Sequence, residues 1–175
     1  MRFFWYVRLR IYSLVASVTG LAGYFGKPIF IKGLRRINFG YDSRIFPGAR
    51  LEVLGSGSII FGNDFRCGHN LFMSCTDHDI RIGDATVFSA NIFIGTQRND
   101  FSQNYTLNDP SWFKIHTTEA PVYIGSNCFI GYGAAILPGT TLEDGCVVGA
   151  NSVVSGHFVK NSIISSKHSV KFKER

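Results

Sequence analysis

Large apolar residues recur at every sixth position over much of this chain, and small or medium side chains stand four positions after many of them. A period of six matches neither the 3.6-residue period of a helix nor the alternation of one long strand. It predicts short strands separated by turns, each strand pointing one large side chain inward. The lead positions of the repeat are Phe61, Cys67, Met73, Ile82, Phe88, Ile94, Ile124, Ile130, Ile136, Leu142, Val148 and Val154. The small positions are Thr86, Cys128, Ala134, Thr140, Cys146 and Ser152.

Three such strands close a triangular coil of about 18 residues, and successive coils stack about 4.8 Å apart through parallel hydrogen bonds. Each coil buries its apolar side chains only against its neighbours, as in other solenoid proteins. The sequence therefore predicts an all-β protein, a parallel β-helix over residues 27–160. A weaker form of the repeat begins earlier, at Ile31 and Ile37 and again at Ile45 and Leu51. Hydrophobic residues make up 45% of the chain and charged residues 17%, which excludes a disordered protein.

The repeat is interrupted by residues 97–120, a polar insert rich in Asn, Asp, Thr and Ser. A long polar loop inside a regular solenoid is usually functional. We therefore expect an excursion loop here that leaves the β-helix and returns to it. Residues 161–175 form a basic C-terminal tail outside the repeat.

Residues 1–26 are predicted to form an amphipathic helix, because apolar residues recur on one helical stripe. Arg8 and Arg10 leave an uncharged run shorter than the roughly 20 residues that a spanning helix needs. Arginines beside an aromatic cluster favour an interfacial helix on a membrane, while a cap over the open end of the coil is the alternative. Residues 1–50 hold nine Lys and Arg against one acidic residue, whereas the nine bases and eleven acids of the remainder sum to −2. This asymmetry indicates an anionic membrane surface as a partner, and no nucleic-acid-binding motif accompanies it.

Four cysteines, Cys67, Cys75, Cys128 and Cys146, lack a metal-ligand spacing such as C-x-x-C. Three of them fall on repeat positions that favour small apolar side chains. We expect buried free thiols in a reducing compartment rather than a disulfide framework. The three zinc-binding histidines of a γ-carbonic anhydrase are not recognisable in the sequence, so no metal is expected.

The stretch PVYIGSNCFIGYGAAILPGTTLEDGCVVGANSVV at residues 121–154 resembles the hexapeptide-repeat acyltransferases. The similarity is to their maltose/galactoside O-acetyltransferase-like and polysaccharide O-acetyltransferase branch, and it extends over roughly residues 50–160. The resemblance implies a left-handed β-helix, a homotrimer, an acyl-CoA donor and active sites in clefts between neighbouring subunits.

Transfer of an acetyl group from a thioester to a hydroxyl needs a base for the hydroxyl proton, and histidine suits neutral pH. The resembled family has a histidine five residues after the lead of the coil that precedes the loop, a position occupied here by Asn99. The same position one coil earlier, five residues after Met73, is His78. Because Met73 and Ile94 are equivalent lead positions, we expect His78 and Asn99 on one corner, about one strand spacing apart.

We therefore take His78 as the candidate base, with Asp79 or Asp77 to orient its imidazole and Asn99 to hydrogen-bond the substrate. Asp79 and Asp100 are expected to stack in the same way. The alternative is that His78 is a polar corner residue exposed on a turn. His116, inside the excursion, is the alternative base.

Acceptor binding is expected from the excursion, through Asp100, Tyr105, Trp112 and His116. Its aromatic side chains can stack on sugar rings, or they can simply hold the loop against the coil. For the donor, the resemblance points to small residues that let a pantetheine arm approach, at Gly131, Gly133, Gly149 and Ala150. Phe129 is the candidate apolar wall. Lys167 is a candidate phosphate contact, although the tail around it can equally be a frayed basic segment.

These features together predict an acetyl-CoA-dependent O-acetyltransferase that acts on an O-antigen or capsular saccharide or its lipid-linked precursor. We expect it in the cytoplasm, peripheral on the inner face of a bacterial cytoplasmic membrane. Two alternatives stay open. The H-D-x-x-I-G spacing from His78 to Gly83 resembles that of N-acyltransferases acting on amino sugar nucleotides. Loss of the family histidine at Asn99 fits a β-helix scaffold without catalytic activity.

Overall fold

The six-residue repeat forms short strands that wind into a left-handed parallel β-helix. The structure is a computed structural model, and it describes residues 2–13, 23–99 and 117–166. One helix, α1 (Arg2–Ser13), precedes the strands. A short 3-10 helix at Leu34–Arg36 lies between the second and third strands.

The described strands are two to four residues long, as the turn at every sixth residue requires. In chain order they are β1 (Gly23–Phe25), β2 (Phe30–Lys32), β3 (Ile37–Asn38), β4 (Ser43–Ile45), β5 (Arg50–Val53), β6 (Ile59–Phe61), β7 (Arg66–Cys67), β8 (Phe72–Cys75), β9 (Ile80–Ile82), β10 (Val87–Phe88), β11 (Phe93–Gly95), β12 (Gln97–Asn99), β13 (Thr117–Glu119), β14 (Val122–Ile124), β15 (Phe129–Ile130), β16 (Ala135–Ile136), β17 (Thr141–Leu142), β18 (Val147–Val148), β19 (Val153–Val154), β20 (His157–Phe158) and β21 (Ile163–Ile164).

Successive strands contribute in turn to three parallel sheets, which form the three sides of the prism. The first sheet has the order β1-β4-β7-β10-β15-β18-β21, the second β2-β5-β8-β11-β16-β19 and the third β3-β6-β9-β14-β17-β20. The predicted equivalence of Met73 and Ile94 is confirmed, because these residues pair between β8 and β11. Strands β12 and β13 form a separate antiparallel pair outside the coil.

The core lies along the axis of the prism, and all twelve predicted lead residues are buried. The six small positions are buried as well, and their polar members are hydrogen-bonded. Thr86 Oγ1, for example, donates to the carbonyl of Gly125 at 2.8 Å and accepts from the amide of Cys128 at 3.1 Å. The first half of the core is aromatic, with neighbouring ring centroids 4.8–5.6 Å apart along the series Phe25, Phe39, Phe61, Phe65 and Phe88.

The coil is longer at both ends than the repeat predicts. It begins with β1 at Gly23 rather than at residue 27, and β21 extends it to Ile164. At the first end, the inward residue is Phe25. It lies in an aromatic stretch in which the six-residue repeat is not recognisable from the sequence. At the other end Ile163 is 83% exposed, so the last strand adds parallel hydrogen bonds with little apolar burial.

Helix α1 caps the first coil. Leu9 is buried in the core, and the ring of Tyr12 lies 5.6 Å from that of Phe25. Trp5 packs against Tyr24, with centroids 5.6 Å apart. Within the described part of the chain, no helix combines the length and hydropathy needed to cross a bilayer.

Candidate active site

The excursion leaves the β-helix directly above the turn that carries His78. Residues 76–79 form the turn from β8 to β9, at the corner between the second and third sheets; we call this turn the His78 corner. One coil later the chain departs after Thr96 and rejoins the third sheet at Val122, which pairs with Ile80. The polar insert therefore starts and ends at the His78 corner.

The excursion has a stem, which consists of the paired strands β12 and β13 with the flanking residues Thr96 and Ala120. A set of hydrogen bonds fastens this stem to the His78 corner. The amide of Thr76 donates to Oγ1 of Thr96 at 3.1 Å, and Thr96 is fully buried. The amide of Ala120 donates to the carbonyl of Thr96 at 2.9 Å. Oγ1 of Thr76 donates to Oε2 of Glu119 at 3.1 Å. Both arms of the stem are thus held by the coil below. Glu119 was not identified from the sequence, because it lies within the insert at residues 97–120, where the six-residue repeat gives no register.

The imidazole of His78 is partly exposed and makes no hydrogen bond to the residues that the structure describes. The neighbouring carboxylate of Asp77 points to the preceding coil instead. Its Oδ1 accepts from the amide and the hydroxyl of Ser56, at 2.8 and 2.9 Å. These two bonds, with a smaller contribution from the charge of His78, lower the pKa of Asp77 below its ordinary value.

Asp79 also has partners other than the imidazole. Its Oδ1 accepts from the amide of Ser58 at 2.9 Å, and its Oδ2 accepts from Arg81 Nη2 at 2.7 Å. The expectation that Asp77 or Asp79 hydrogen-bonds His78 is therefore corrected. In a stacked coil, a turn carboxylate satisfies the free amides of the coil below, and this competes with a contact to its sequence neighbour.

The structure also corrects the predicted stacking of Asn99 over His78. Asn99 is the last residue of β12 and pairs with Thr117 in the antiparallel stem. The chain turns out of the coil at Gln97, before it reaches the corner position above His78. The next coil residue to meet this corner is Val122, whose amide donates to the carbonyl of Asp79 at 3.0 Å.

The proposed acceptor contacts Asp100, Tyr105, Trp112 and His116 lie outside the described residues, as does Lys167. The two other described histidines lie away from the His78 corner. The ring of His69 packs against Phe46, with centroids 5.1 Å apart. His157 Nε2 lies 3.0 Å from Oε1 of Glu143.

The glycines predicted to face the donor differ in whether the fold leaves space for a Cβ atom at their positions. A Cβ on Gly131 would lie 2.6 Å from the amide nitrogen of Ala150, and one on Gly133 would lie 2.2 Å from Oδ1 of Asn151. Gly133 also has φ +71°. At Gly149 the nearest atom to a Cβ would be 3.4 Å away, an ordinary contact. Coil stacking therefore requires Gly131 and Gly133, whereas it leaves the absence of a side chain at Gly149 unexplained.

Phe129 stands on the outer face of the first sheet and is 45% exposed. It pairs with Val147, which pairs with Ile163, so three exposed apolar residues form a column on the last coils. Ala150, predicted to lie beside the donor, is exposed in the turn after β18.

A surface depression of about 340 Å³ lies on the same sheet nearer the first coil. It is lined by Tyr24, Phe46, Arg44 and Arg66 among others, and the His78 corner does not contribute to it. Arg44 and Arg66 are each paired with an aspartate two residues earlier in the chain. This depression is therefore separate from the corner where the excursion emerges.

All four cysteines are buried free thiols, as predicted. Burial raises the pKa of the Cys67 and Cys128 thiols, and burial followed by the charge of Asp79 raises that of Cys75 to about 12. Among the described residues no group of three or more His, Cys, Asp or Glu side chains is arranged to hold a metal ion.

Comparison with known proteins agrees with this architecture. Residues 121–155 match the family model described as hexapeptide repeat of succinyl-transferase. WbbJ of Escherichia coli (strain K12) is named as a lipopolysaccharide biosynthesis O-acetyl transferase. It is 30% identical to this chain over 141 residues, which cover 79% of this chain and 71% of WbbJ. WcaF of the same organism is named as a colanic acid biosynthesis acetyltransferase. It is 31% identical to this chain over a match that covers 55% of this chain and 48% of WcaF.

The fold matches that of AntD, an N-acyltransferase from Bacillus cereus, solved as a mutant with dTDP-4-amino-4,6-dideoxyglucose and coenzyme A. The TM-score is 0.72 at 17% identity, over 87% of this chain and 81% of AntD. The family model, the relatives and the coil geometry lead to one conclusion: this chain belongs to the hexapeptide-repeat acyltransferases.

Proposed function

We propose that this protein is an acetyl-CoA-dependent O-acetyltransferase that modifies a hydroxyl of a cell-surface saccharide or of its lipid-linked precursor. The observation that carries the proposal is the position of His78 directly below the emerging excursion. A candidate base and the two described ends of the polar insert then share one corner of the prism. The names of WbbJ and WcaF support a saccharide as acceptor.

In the proposed reaction His78 accepts the proton of the acceptor hydroxyl while the oxygen attacks the thioester carbonyl carbon. The tetrahedral intermediate collapses, the C–S bond breaks, and CoA leaves as a thiolate that takes the proton back from the imidazolium. Asp77 and Asp79 act as positioning residues, because their bonds to Ser56 and Ser58 hold the turn on either side of His78.

The acceptor is proposed to bind between this corner and the excursion. Asn99 is assigned a hydrogen bond to it from the stem. Asp100, Tyr105, Trp112 and His116 are assigned the acceptor contacts of the excursion, where aromatic rings suit the apolar faces of sugars. The hydrogen bonds from Thr76 to Thr96 and to Glu119 support this assignment, since they hold the departing and the returning ends of the excursion at this corner.

The donor is proposed to run along the last coils. Phe129 supplies an apolar wall, and Gly149 and Ala150 leave room for the pantetheine arm. Gly131 and Gly133 keep the coils closely stacked beside it. Lys167 is assigned a phosphate contact.

N-acylation of an amino sugar nucleotide is the second candidate. The fold likeness to AntD and the H-D-x-x-I-G spacing from His78 to Gly83 support it. Parallel assays separate the two reactions. An O-acetyltransferase releases CoA with a saccharide hydroxyl as acceptor, whereas the N-acyl reaction needs an amino sugar nucleotide.

Alanine substitution of two histidines tests the assignment of the base. His78→Ala should lower kcat by at least about a hundredfold while leaving acetyl-CoA affinity nearly unchanged. His116→Ala should act mainly on the KM of the acceptor. If His78→Ala retains wild-type turnover and His116→Ala is inactive, the base lies in the excursion. If the wild-type protein binds no acetyl-CoA in calorimetry, it is a scaffold.

A homotrimer with donor clefts between subunits is also proposed. The exposed column of Phe129, Val147 and Ile163 supports it, because contact between copies would remove these side chains from water. Light scattering coupled to size exclusion should give about three times the chain mass of 19.5 kDa. A fully active monomer would contradict the trimer. The cytoplasmic membrane surface is the proposed location.

A further inference from the structure

Helix α1 has two distinct faces. One face is used as the cap, through Trp5, Leu9 and Tyr12. The opposite face carries Phe3 and Ile11, which are 71% and 57% exposed. A cap needs only the first face to be apolar, so the exposed apolar face requires a different explanation.

More exposed apolar side chains lie at the same end of the prism. Phe4 on the helix is 69% exposed, and Ile29 in the first coil is 72% exposed. Phe30, at the start of β2, is 46% exposed. Large apolar side chains gathered on one end mark a contact with an apolar phase or partner.

Basic residues surround this apolar end, and the chain has no acidic residue before Asp42. Lys27, Lys32 and Arg35 are exposed on the first coil. Arg10 is exposed on the helix, where it contacts Tyr6. A second copy of the same basic end would meet this surface with like charge. An anionic surface is complementary to it.

We infer that this end of the prism docks on a bilayer containing anionic lipids. Phe3, Phe4 and Ile11 enter the boundary between headgroups and acyl chains, and the bases of the first coil contact the headgroups. Capping and docking use opposite faces of α1, so the helix performs both roles at once.

Docking in this way sets the height of the His78 corner above the membrane. His78 lies in the third coil, two coil spacings from the first, which is about 10 Å at about 4.8 Å per coil. The corner then stands just beyond the headgroup layer, at the level of a saccharide attached to a lipid. If the proposed function holds, the acceptor is a lipid-linked saccharide rather than a free sugar nucleotide.

Sedimentation of the full chain with vesicles tests the docking without acetyl-CoA or acceptor, so it does not depend on activity. Vesicles with 30% phosphatidylglycerol in phosphatidylcholine should bind the protein. Pure phosphatidylcholine should bind it at least about tenfold more weakly, as should the mixed vesicles at 0.5 M NaCl. The double variant Phe3→Ser with Phe4→Ser should lose at least about tenfold in binding.

The matched control is the double variant Val153→Ser with Val159→Ser. It replaces two apolar side chains that are 61% and 63% exposed near the far end of the prism. This control should bind like the wild type, and circular dichroism should show both variants folded. Equal binding to neutral and anionic vesicles, or full binding by the Phe3 and Phe4 variant, would overturn the inference. A change of that variant's mass in light scattering, with vesicle binding unchanged, would show that the face contacts another copy. Vesicle binding without any acetyl transfer would refute only the proposed function.

Discussion

The hydroxyl of Thr76 donates a hydrogen bond of 3.1 Å to the carboxylate of Glu119, which lies 43 residues later in the chain. Thr76 is two residues from His78, and Glu119 ends the strand by which the excursion returns. This bond couples the turn of the candidate base to the returning end of the candidate acceptor loop.

Glu119→Ala should therefore impair use of the acceptor more than binding of the donor. Hydrogen bonds to charged groups contribute up to about 1.5–3 kcal/mol, and the partial exposure of this pair places the loss near the lower value. We expect kcat/KM for the acceptor to fall about tenfold, with the dissociation constant for acetyl-CoA unchanged in calorimetry. Glu143→Ala is the control, since Glu143 pairs with His157 away from the His78 corner. Equal losses in both variants would mean that Glu119 has no specific role.

Two glycines of the last coils should respond differently to an added methyl group. Gly133→Ala should destabilise the fold by about 1–2 kcal/mol or more, because a left-handed residue with a side chain costs this amount and the methyl would also meet Asn151. Gly149→Ala should melt near the wild-type temperature but weaken acetyl-CoA binding if the donor passes there. Thermal denaturation and calorimetric titration separate the two effects. Wild-type affinity in a stable Gly149→Ala protein would remove Gly149 from the donor site.

The cysteines should be unreactive in the native protein. All four are buried, and burial raises the pKa of Cys67, Cys75 and Cys128, so little thiolate is available at pH 8. We expect Ellman's reagent to modify none of them within minutes at pH 8 and all four in guanidinium chloride. Rapid modification of even one thiol before denaturation would show that a coil opens locally.

Acid should weaken the coil through Asp77 and Asp144. The amide of Ser56 is the main cause that lowers the pKa of Asp77, and the amide of Ser126 is the main cause for Asp144. A carboxyl whose pKa is lower in the folded state stabilises the fold above its unfolded pKa and loses that contribution as pH falls through the folded value. The melting temperature should therefore fall below about pH 4.

Asp144→Asn isolates one of these groups. The amide oxygen still accepts from Ser126 but cannot be protonated, so the variant should melt below the wild type at pH 7 and approach it at pH 3. Differential scanning calorimetry from pH 3 to pH 7 measures this convergence. A constant difference between the two proteins across this range would exclude Asp144 as a source of the acid sensitivity.

The inward residues of the coil were predictable from sequence because each of them is determined locally. A turn after every strand forces one side chain per side toward the axis, so Met73, Ile94 and Ile136 could be assigned from spacing alone, and all are buried. Among the described left-handed positions that are not glycine, all but Ala85 are Asn or Asp, as at Asn91 and Asn127, and this reflects the same local constraint.

The neighbours of the candidate base were not predictable in this way. Counting by six carries Asn99 onto the corner above His78, but the chain leaves the coil at Gln97, and a period cannot report where an insert departs. Asp77 and Asp79 adjoin His78 in sequence, yet their hydrogen bonds go to Ser56 and Ser58. The partner of a turn carboxylate depends on which backbone amides the preceding coil leaves unpaired.

The sequence by itself therefore determined the period, the inward face and the buried cysteines. Each of these follows from side chains within about six residues of one another. Only the tertiary structure decided which face of α1 is used as the cap, and only it joined Thr76 to Glu119. Such contacts depend on how separate coils and the helix stack in space. Neither the spacing of apolar residues nor the residue types along the chain report which distant residues that stacking brings together.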